Sequence, residues 1–308
     1  MGKLVKILSI DGGGMRGIIP SVVLAEIEHR AGQPIHKLFD IIAGTSTGAI
    51  IALGLTLPNE QGKARYSASD IIDIFDNDGQ DIFSRSLWHT MYTAGSIRGS
   101  KYPPEGMLQT FNKIYGNARL KEALTEVMAV SYDIEMAQAF FFKRHEAIKD
   151  DRRDFAVKEV VQASSSAPVY FEPFTIERKN DPTVKRYAFI DGCVVANNPA
   201  MCAYAEAKTL YPNADEYLVV SLGTGSETAT LLYELFDQWG AIQWIMPLVN
   251  ILMGGTTNIP DHQLRALHKT HGDKLNHYYR LQAKLEKGQP PLDGTDNINT
   301  HTLRIIQI

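Results

Sequence analysis

Leu38-Phe39-Asp40-Ile41-Ile42-Ala43-Gly44-Thr45-Ser46-Thr47-Gly48-Ala49-Ile50-Ile51-Ala52-Leu53-Gly54-Leu55 is the stretch on which the fold turns. An apolar, β-branched run passes through Gly-x-Ser-x-Gly straight into an apolar helical segment. That order is the layout of a nucleophile elbow, in which a tight strand-to-helix turn pushes one serine hydroxyl out of the fold. Gly44 and Gly48 are the elbow glycines, because Cβ atoms beside such a serine would collide with the turn. The helix that starts beyond Ser46 adds a positive dipole end next to its hydroxyl. Ser46 is the candidate nucleophile.

Two further strand ends supply matching parts. Leu4-Val5-Lys6-Ile7-Leu8-Ser9-Ile10 leads into Asp11-Gly12-Gly13-Gly14-Met15-Arg16-Gly17. Three successive glycines leave backbone N–H groups uncovered, as an oxyanion hole requires. The same letters satisfy G-x-G-x-x-G through Gly12, Gly14 and Gly17, so a nucleotide-binding protein built on Gly12–Gly17 is the competing reading. A dinucleotide site wants an acidic residue at the end of the second strand. Asp40 stands at the start of that strand instead. Downstream, Tyr187-Ala188-Phe189-Ile190-Asp191-Gly192-Cys193 delivers an aspartate to a strand end. Donors, nucleophile and carboxylate together favour acyl transfer.

These motifs, in this order, resemble the patatin-like phospholipase family. Secondary matches are Ala163-Ser164-Ser165-Ser166-Ala167-Pro168-Val169-Tyr170-Phe171, Asn197-Asn198-Pro199 and Ser221-Leu222-Gly223-Thr224-Gly225. The resemblance covers residues 4–225 and implies a lipid acyl hydrolase of phospholipase A type. It implies Ser46 and Asp191 as a Ser–Asp dyad, Gly12, Gly13 and Gly14 as the oxyanion hole, and Arg16 beside that hole. Cys193 departs from the Gly or Ala that follows the Asp-Gly in the family. A third reading keeps this chemistry and adds control by a small ligand, as in cyclic-dinucleotide-activated phospholipases of bacterial defence systems. No motif stands for that control.

The rest of the chain fits an α/β fold with three layers: a mainly parallel sheet with helices on both faces. Strands are expected at 4–10, 38–43, 126–132, 186–190 and 217–222. Helices are expected at 17–30, 47–57, 69–76, 105–115, 154–163 and 199–210, with Ser69 as an N-cap and Pro199 in a first turn. Residues 77–104 read as a long loop. Residues 226–308 form a C-terminal extension packed on the 4–225 domain, apolar around Pro247. Leu87, Trp88, Met91 and Tyr92 with Trp239, Trp244 and Met246 are candidates for an apolar rim that meets lipid, or for core.

Composition narrows the class. The chain has 308 residues, 44% of them apolar and 21% charged, with a net charge of −4. That gives no reason to expect nucleic-acid binding. Cys193 and Cys202 have no zinc or disulfide spacing, and no H-E-x-x-H or calcium loop is present, so neither metal nor cofactor is expected. Met1-Gly2-Lys3 passes directly into a strand, so the expected setting is cytoplasmic, with peripheral action at membranes. A triad would need a histidine; His262, His268, His271 and His277 follow the serine and the acid in order, but none follows a strand end.

Overall fold

The structure is a computed structural model that describes residues 2–82, 105–178, 186–227, 239–269 and 275–285. Its strands are β1 (Leu4–Ile10), β2 (Ile41–Thr45), β3 (Glu126–Asp133), β4 (Gln138–Lys143), β5 (Phe174–Glu177), β6 (Arg186–Asp191), β7 (Glu216–Leu222), β8 (Ser226–Glu227), β9 (Leu275–Leu281) and β10 (Lys284–Leu285). Its α-helices are α1 (Ile18–Ala31), α2 (Ile35–Leu38), α3 (Thr47–Gly54), α4 (Ala68–Ile82), α5 (Glu105–Tyr115), α6 (Arg144–Lys149), α7 (Val157–Ser165), α8 (Cys193–Ala196), α9 (Ala200–Leu210) and α10 (Ala241–Lys269).

The main sheet runs β5-β6-β3-β2-β1-β7-β9, with β4 also paired to β3. The stretch β3-β2-β1-β7-β9 is parallel. Alternation along β1 sends side chains to two cores. Leu8 and Ile10 join residues of α1, α3, α4, α5 and α7 on one face. Val5 and Ile7 join Ala203, Tyr204 and Leu264 from α9 and α10 on the other. This is the expected three-layer α/β arrangement, with a mostly parallel sheet.

The sheet is not parallel throughout, and the departure builds the site. β2 pairs with β3 from Glu126 to Val130. β6 pairs with β3 from Ser131 to Asp133, in the opposite direction. β4 occupies β3 from Met128 to Asp133. A strand has only two edges, so β2 and β6 share one edge of β3 end to end. Their C-termini therefore meet: Thr45 sits opposite Val130 and Asp191 opposite Ser131.

Several local expectations shift. The second strand begins at Ile41, because Ile35–Leu38 close a helical turn. Ser67, not Ser69, caps α4: its hydroxyl accepts from Asp70 N–H at 3.2 Å while the Asp70 carboxylate accepts from Ser67 N–H at 2.8 Å. That reciprocal pair is a capping box, and its cap lies two residues upstream of the expected Ser69. The helix also continues to Ile82, into the segment expected as loop. Strands β4, β5 and β9 were not expected, nor was the helix that carries Pro247 and Pro260.

Candidate active site

Ser46 is built by collision. A Cβ on Gly44 would lie 2.1 Å from Gly48 O, and one on Gly48 would lie 2.1 Å from Ile10 O. Only glycine lets β2, α3 and β1 approach so closely. The serine between them holds φ 54° and ψ −123°, a region that L side chains rarely adopt. Its N–H donates to Ser164 Oγ at 2.9 Å, and that hydroxyl donates to Val130 O at 2.6 Å. The strained residue is thus tied to β3 through the C-terminal end of α7.

Ser46 Oγ donates to Asp191 Oδ2 at 2.7 Å. The second carboxylate oxygen accepts Cys193 N–H at 2.8 Å. Asp191 N–H donates to Ser166 O at 2.9 Å, so the serine-rich end of α7 braces both residues. Asp191 is 2% exposed. Burial pushes its carboxyl up to about 6, and the hydrogen bonds from Ser46 and Cys193 hold it from going higher. Among the described residues no cation shares its hydrogen bonds. Among the described residues no histidine hydrogen-bonds to Ser46 or Asp191; His145 bonds Glu126 elsewhere in the fold.

The glycine loop flanks the serine on its other side. A Cβ on Gly12 would lie 3.2 Å from Ser46 Cβ. Gly12 N–H is already committed, donating to Asn197 O at 3.0 Å. Gly12 O accepts from Thr224 Oγ1 at 2.8 Å. Gly13 N–H has no hydrogen bond among the described residues, and Gly14 opens a 3-10 turn (Gly14–Gly17), where the first N–H groups lack internal partners. The uncommitted donors are therefore Gly13 and Gly14. Arg16 lies in that turn, half-buried, and Arg16 N–H donates to Gly13 O. Asp40 accepts from Lys6 N–H at 2.7 Å at the far end of β2, not where a ribose would need it.

Asn197 joins the loop to the C-terminal half. Its Nδ2 donates to Thr257 Oγ1 at 2.8 Å, and Thr256 Oγ1 donates to Cys193 O at 2.8 Å. Helix α10 therefore buttresses the loop after Asp191. Ser164, Asn197 and Thr224 stand inside the motifs quoted above, so their positions were visible and their contacts were not. Among the described residues no group of three or more His, Cys, Asp or Glu side chains is placed to hold a metal ion. A cavity of about 550 Å³ lined by Arg119, Asp154, Thr175 and Tyr187 contains neither Ser46 nor Asp191.

A family model for patatin-like phospholipases matches residues 8–204. The chain belongs to that family. Patatin-like protein 2 of Arabidopsis thaliana is 31% identical over 91% of this chain and 76% of its own length. Patatin-2-Kuras 2 of Solanum tuberosum is 28% identical over 92% and 77%. Another potato relative, 29% identical over 92% and 79%, is named a probable inactive patatin-3-Kuras 1, so membership in the patatin-like family does not by itself secure activity. The crystal structure of VipD from Legionella pneumophila aligns with 99% of this chain and 67% of its own at TM-score 0.41 and 13% identity.

Proposed function

We propose that this patatin-like chain is a lipid acyl hydrolase of phospholipase A type, acting through an acyl-Ser46 intermediate. The observation that carries the reading is the 2.7 Å hydrogen bond from Ser46 Oγ to the buried Asp191. An aspartate at its usual pKa is a poor base for a hydroxyl. One raised to about 6 is a better one and is still ionised at neutral pH.

In the first half-reaction Asp191 takes the Ser46 proton as Oγ attacks the ester carbonyl. The tetrahedral oxyanion is received by Gly13 and Gly14 N–H, while Gly12 gives clearance for its approach. Asp191 then returns the proton to the leaving alcohol, and the lysolipid departs. In the second half-reaction water gives its proton to Asp191 and attacks the acyl group, and Ser46 Oγ recovers a proton as the fatty acid leaves.

The substrate is an acyl lipid met at a membrane surface. Among the described residues no helix is long and apolar enough to cross a membrane. Helix α10 instead exposes Trp244, Leu248, Ile251 and Leu252, at spacings that share one helix face. This face supports peripheral contact with a membrane. Leu87, Trp88, Met91 and Tyr92 lie outside the described residues, as does the Met246 side chain.

The test is fatty-acid release from phosphatidylcholine–phosphatidylethanolamine vesicles, with fluorophosphonate labelling. Wild type is expected to label and to release fatty acid. Ser46→Ala is expected to do neither, and Asp191→Ala to lose roughly 10³-fold or more in rate. A wild-type protein that neither labels nor releases fatty acid would end this reading.

A further inference from the structure

We propose that Arg280, on the last strand of the main sheet, is a positioning residue for the oxyanion loop, acting through Asp11; this rests on the hydrolase reading above. Asp11 is the residue that leads β1 into Gly12-Gly13-Gly14. Arg280 Nη1 donates to Asp11 Oδ1 at 2.8 Å and Nη2 to Oδ2 at 2.5 Å. Nη1 also reaches Ser221 Oγ at 2.8 Å. Both charged side chains are nearly sealed from solvent, 6% exposed for Arg280 and 1% for Asp11.

A two-pronged fork does more than neutralise charge. It fixes the plane of the carboxylate, and with it the rotation of Asp11 about the start of the loop. Asp11 N–H donates to Leu222 O at 2.9 Å, which fixes the same residue from its backbone. The donors at Gly13 and Gly14 lie two and three residues further along, and Gly13 N–H has no hydrogen bond of its own among the described residues. Its aim is inherited from the anchors on either side.

The same strand end braces the loop a second time. Gly223 N–H donates to Leu281 O at 2.9 Å, and Gly225 N–H to Gln282 Oε1 at 2.9 Å. Those contacts hold the segment carrying Thr224, whose hydroxyl donates to Gly12 O. A Cβ on Gly13 would lie 2.2 Å from that hydroxyl oxygen, so Thr224 presses directly on the loop. Residues 280–282 thus clamp the loop by one ionic and one hydrogen-bonded route. All of them lie beyond the family-model match, which ends at residue 204.

A buried ion pair is a poor way to add stability, since apolar side chains of like volume commonly serve as well or better. Orientation is what such a pair supplies and apolar packing does not. This makes rate, not stability alone, the quantity that Arg280 controls.

The experiment uses the full chain and p-nitrophenyl butyrate, a short soluble ester that takes membrane docking out of the measurement. Arg280→Lys keeps the charge but loses the fork, and is expected to fold cooperatively and to lose about tenfold in kcat with KM within twofold. Asp11→Asn combined with Arg280→Met removes both charges. It is expected to regain the thermal midpoint lost in Arg280→Met alone, without regaining kcat. A folded Arg280→Lys with kcat within twofold of wild type would overturn the proposal, as would a double variant whose kcat recovers along with its midpoint. A wild-type protein that neither labels with fluorophosphonate nor hydrolyses the ester takes down the hydrolase reading itself, and this inference with it. Activity in wild type with indifference at Arg280 refutes the inference alone.

Discussion

The tips of β1 and β6 each carry a buried aspartate, and the two are held in opposite ways. Asp11 meets a guanidinium fork from Arg280. Asp191 meets a serine hydroxyl and one backbone N–H. Burial raises both carboxyls to about 6. The partners decide what that means. A carboxylate locked to a cation holds its neighbours in place; one facing a neutral hydroxyl has somewhere to send its charge. The contrast separates a structural anchor from the proposed proton acceptor inside one small volume.

The strongest way to break the contrast is to make the same substitution at both tips. Asp191→Asn is expected to cut ester hydrolysis by roughly 10³-fold or more. It should also raise stability by about 2 kcal/mol at pH 8, because it removes a buried unpaired charge. Asp11→Asn should lower stability by about 3–5 kcal/mol, since it leaves Arg280 buried without its partner. Denaturant titrations of the two variants decide the matter; shifts of the same sign would erase the distinction.

A second test addresses the donors between the two tips. Gly13→Ala puts a methyl group against Thr224, and is expected to lower kcat by roughly 10²-fold or more while fluorescence still reports a cooperative fold. Smaller still is the pH effect. The proposed base Asp191 can act only when ionised, so kcat/KM should climb with pH through about 6 and level off above it. That limb should persist in the residual activity of Asp11→Asn, which assigns it to Asp191. The sign is reversed for stability. A carboxyl whose folded pKa is raised stabilises the fold when protonated, and that contribution is lost as pH rises from the ordinary carboxylate range through about 6. The smallest effect belongs to the elbow: Ser46→Gly should stabilise the inactive protein by about 1–2 kcal/mol by releasing the left-handed φ. A neutral or negative shift would mean that the elbow stores no strain.

The inner parallel strands of the sheet were legible because they are buried on both faces and write themselves as unbroken apolar runs such as Ile41-Ile42-Ala43. The two end strands of the sheet were harder. β5 reads Phe174-Thr175-Ile176-Glu177, a mixed quartet that also suits a loop. β9 reads Leu275-Asn276-His277-Tyr278-Tyr279-Arg280-Leu281, where polar residues break the pattern and the buried arginine reads as a surface charge. Its role depends on a partner 269 positions away in the chain, and nothing local announces that pairing. The positions of Ser46, Asp191 and the three glycines could be read off as motifs. That Gly12 N–H is spent on Asn197 could not, because it depends on how a remote loop folds back.

The end-to-end meeting of β2 and β6 makes β3 the common scale on which two half-sites are measured. One step along a strand is about 3.3 Å and turns the side chain to the opposite face. Inserting a residue within β6 would therefore carry the carboxylate out of reach and point it away, with sheet and core otherwise preserved. Extending the tight turn at residues 134–137, between β3 and β4, would change neither reading on the scale. This family member is thus built to tolerate changes in loop length while remaining acutely sensitive to slippage in one short strand, a kind of lesion that a survey of point substitutions would never sample.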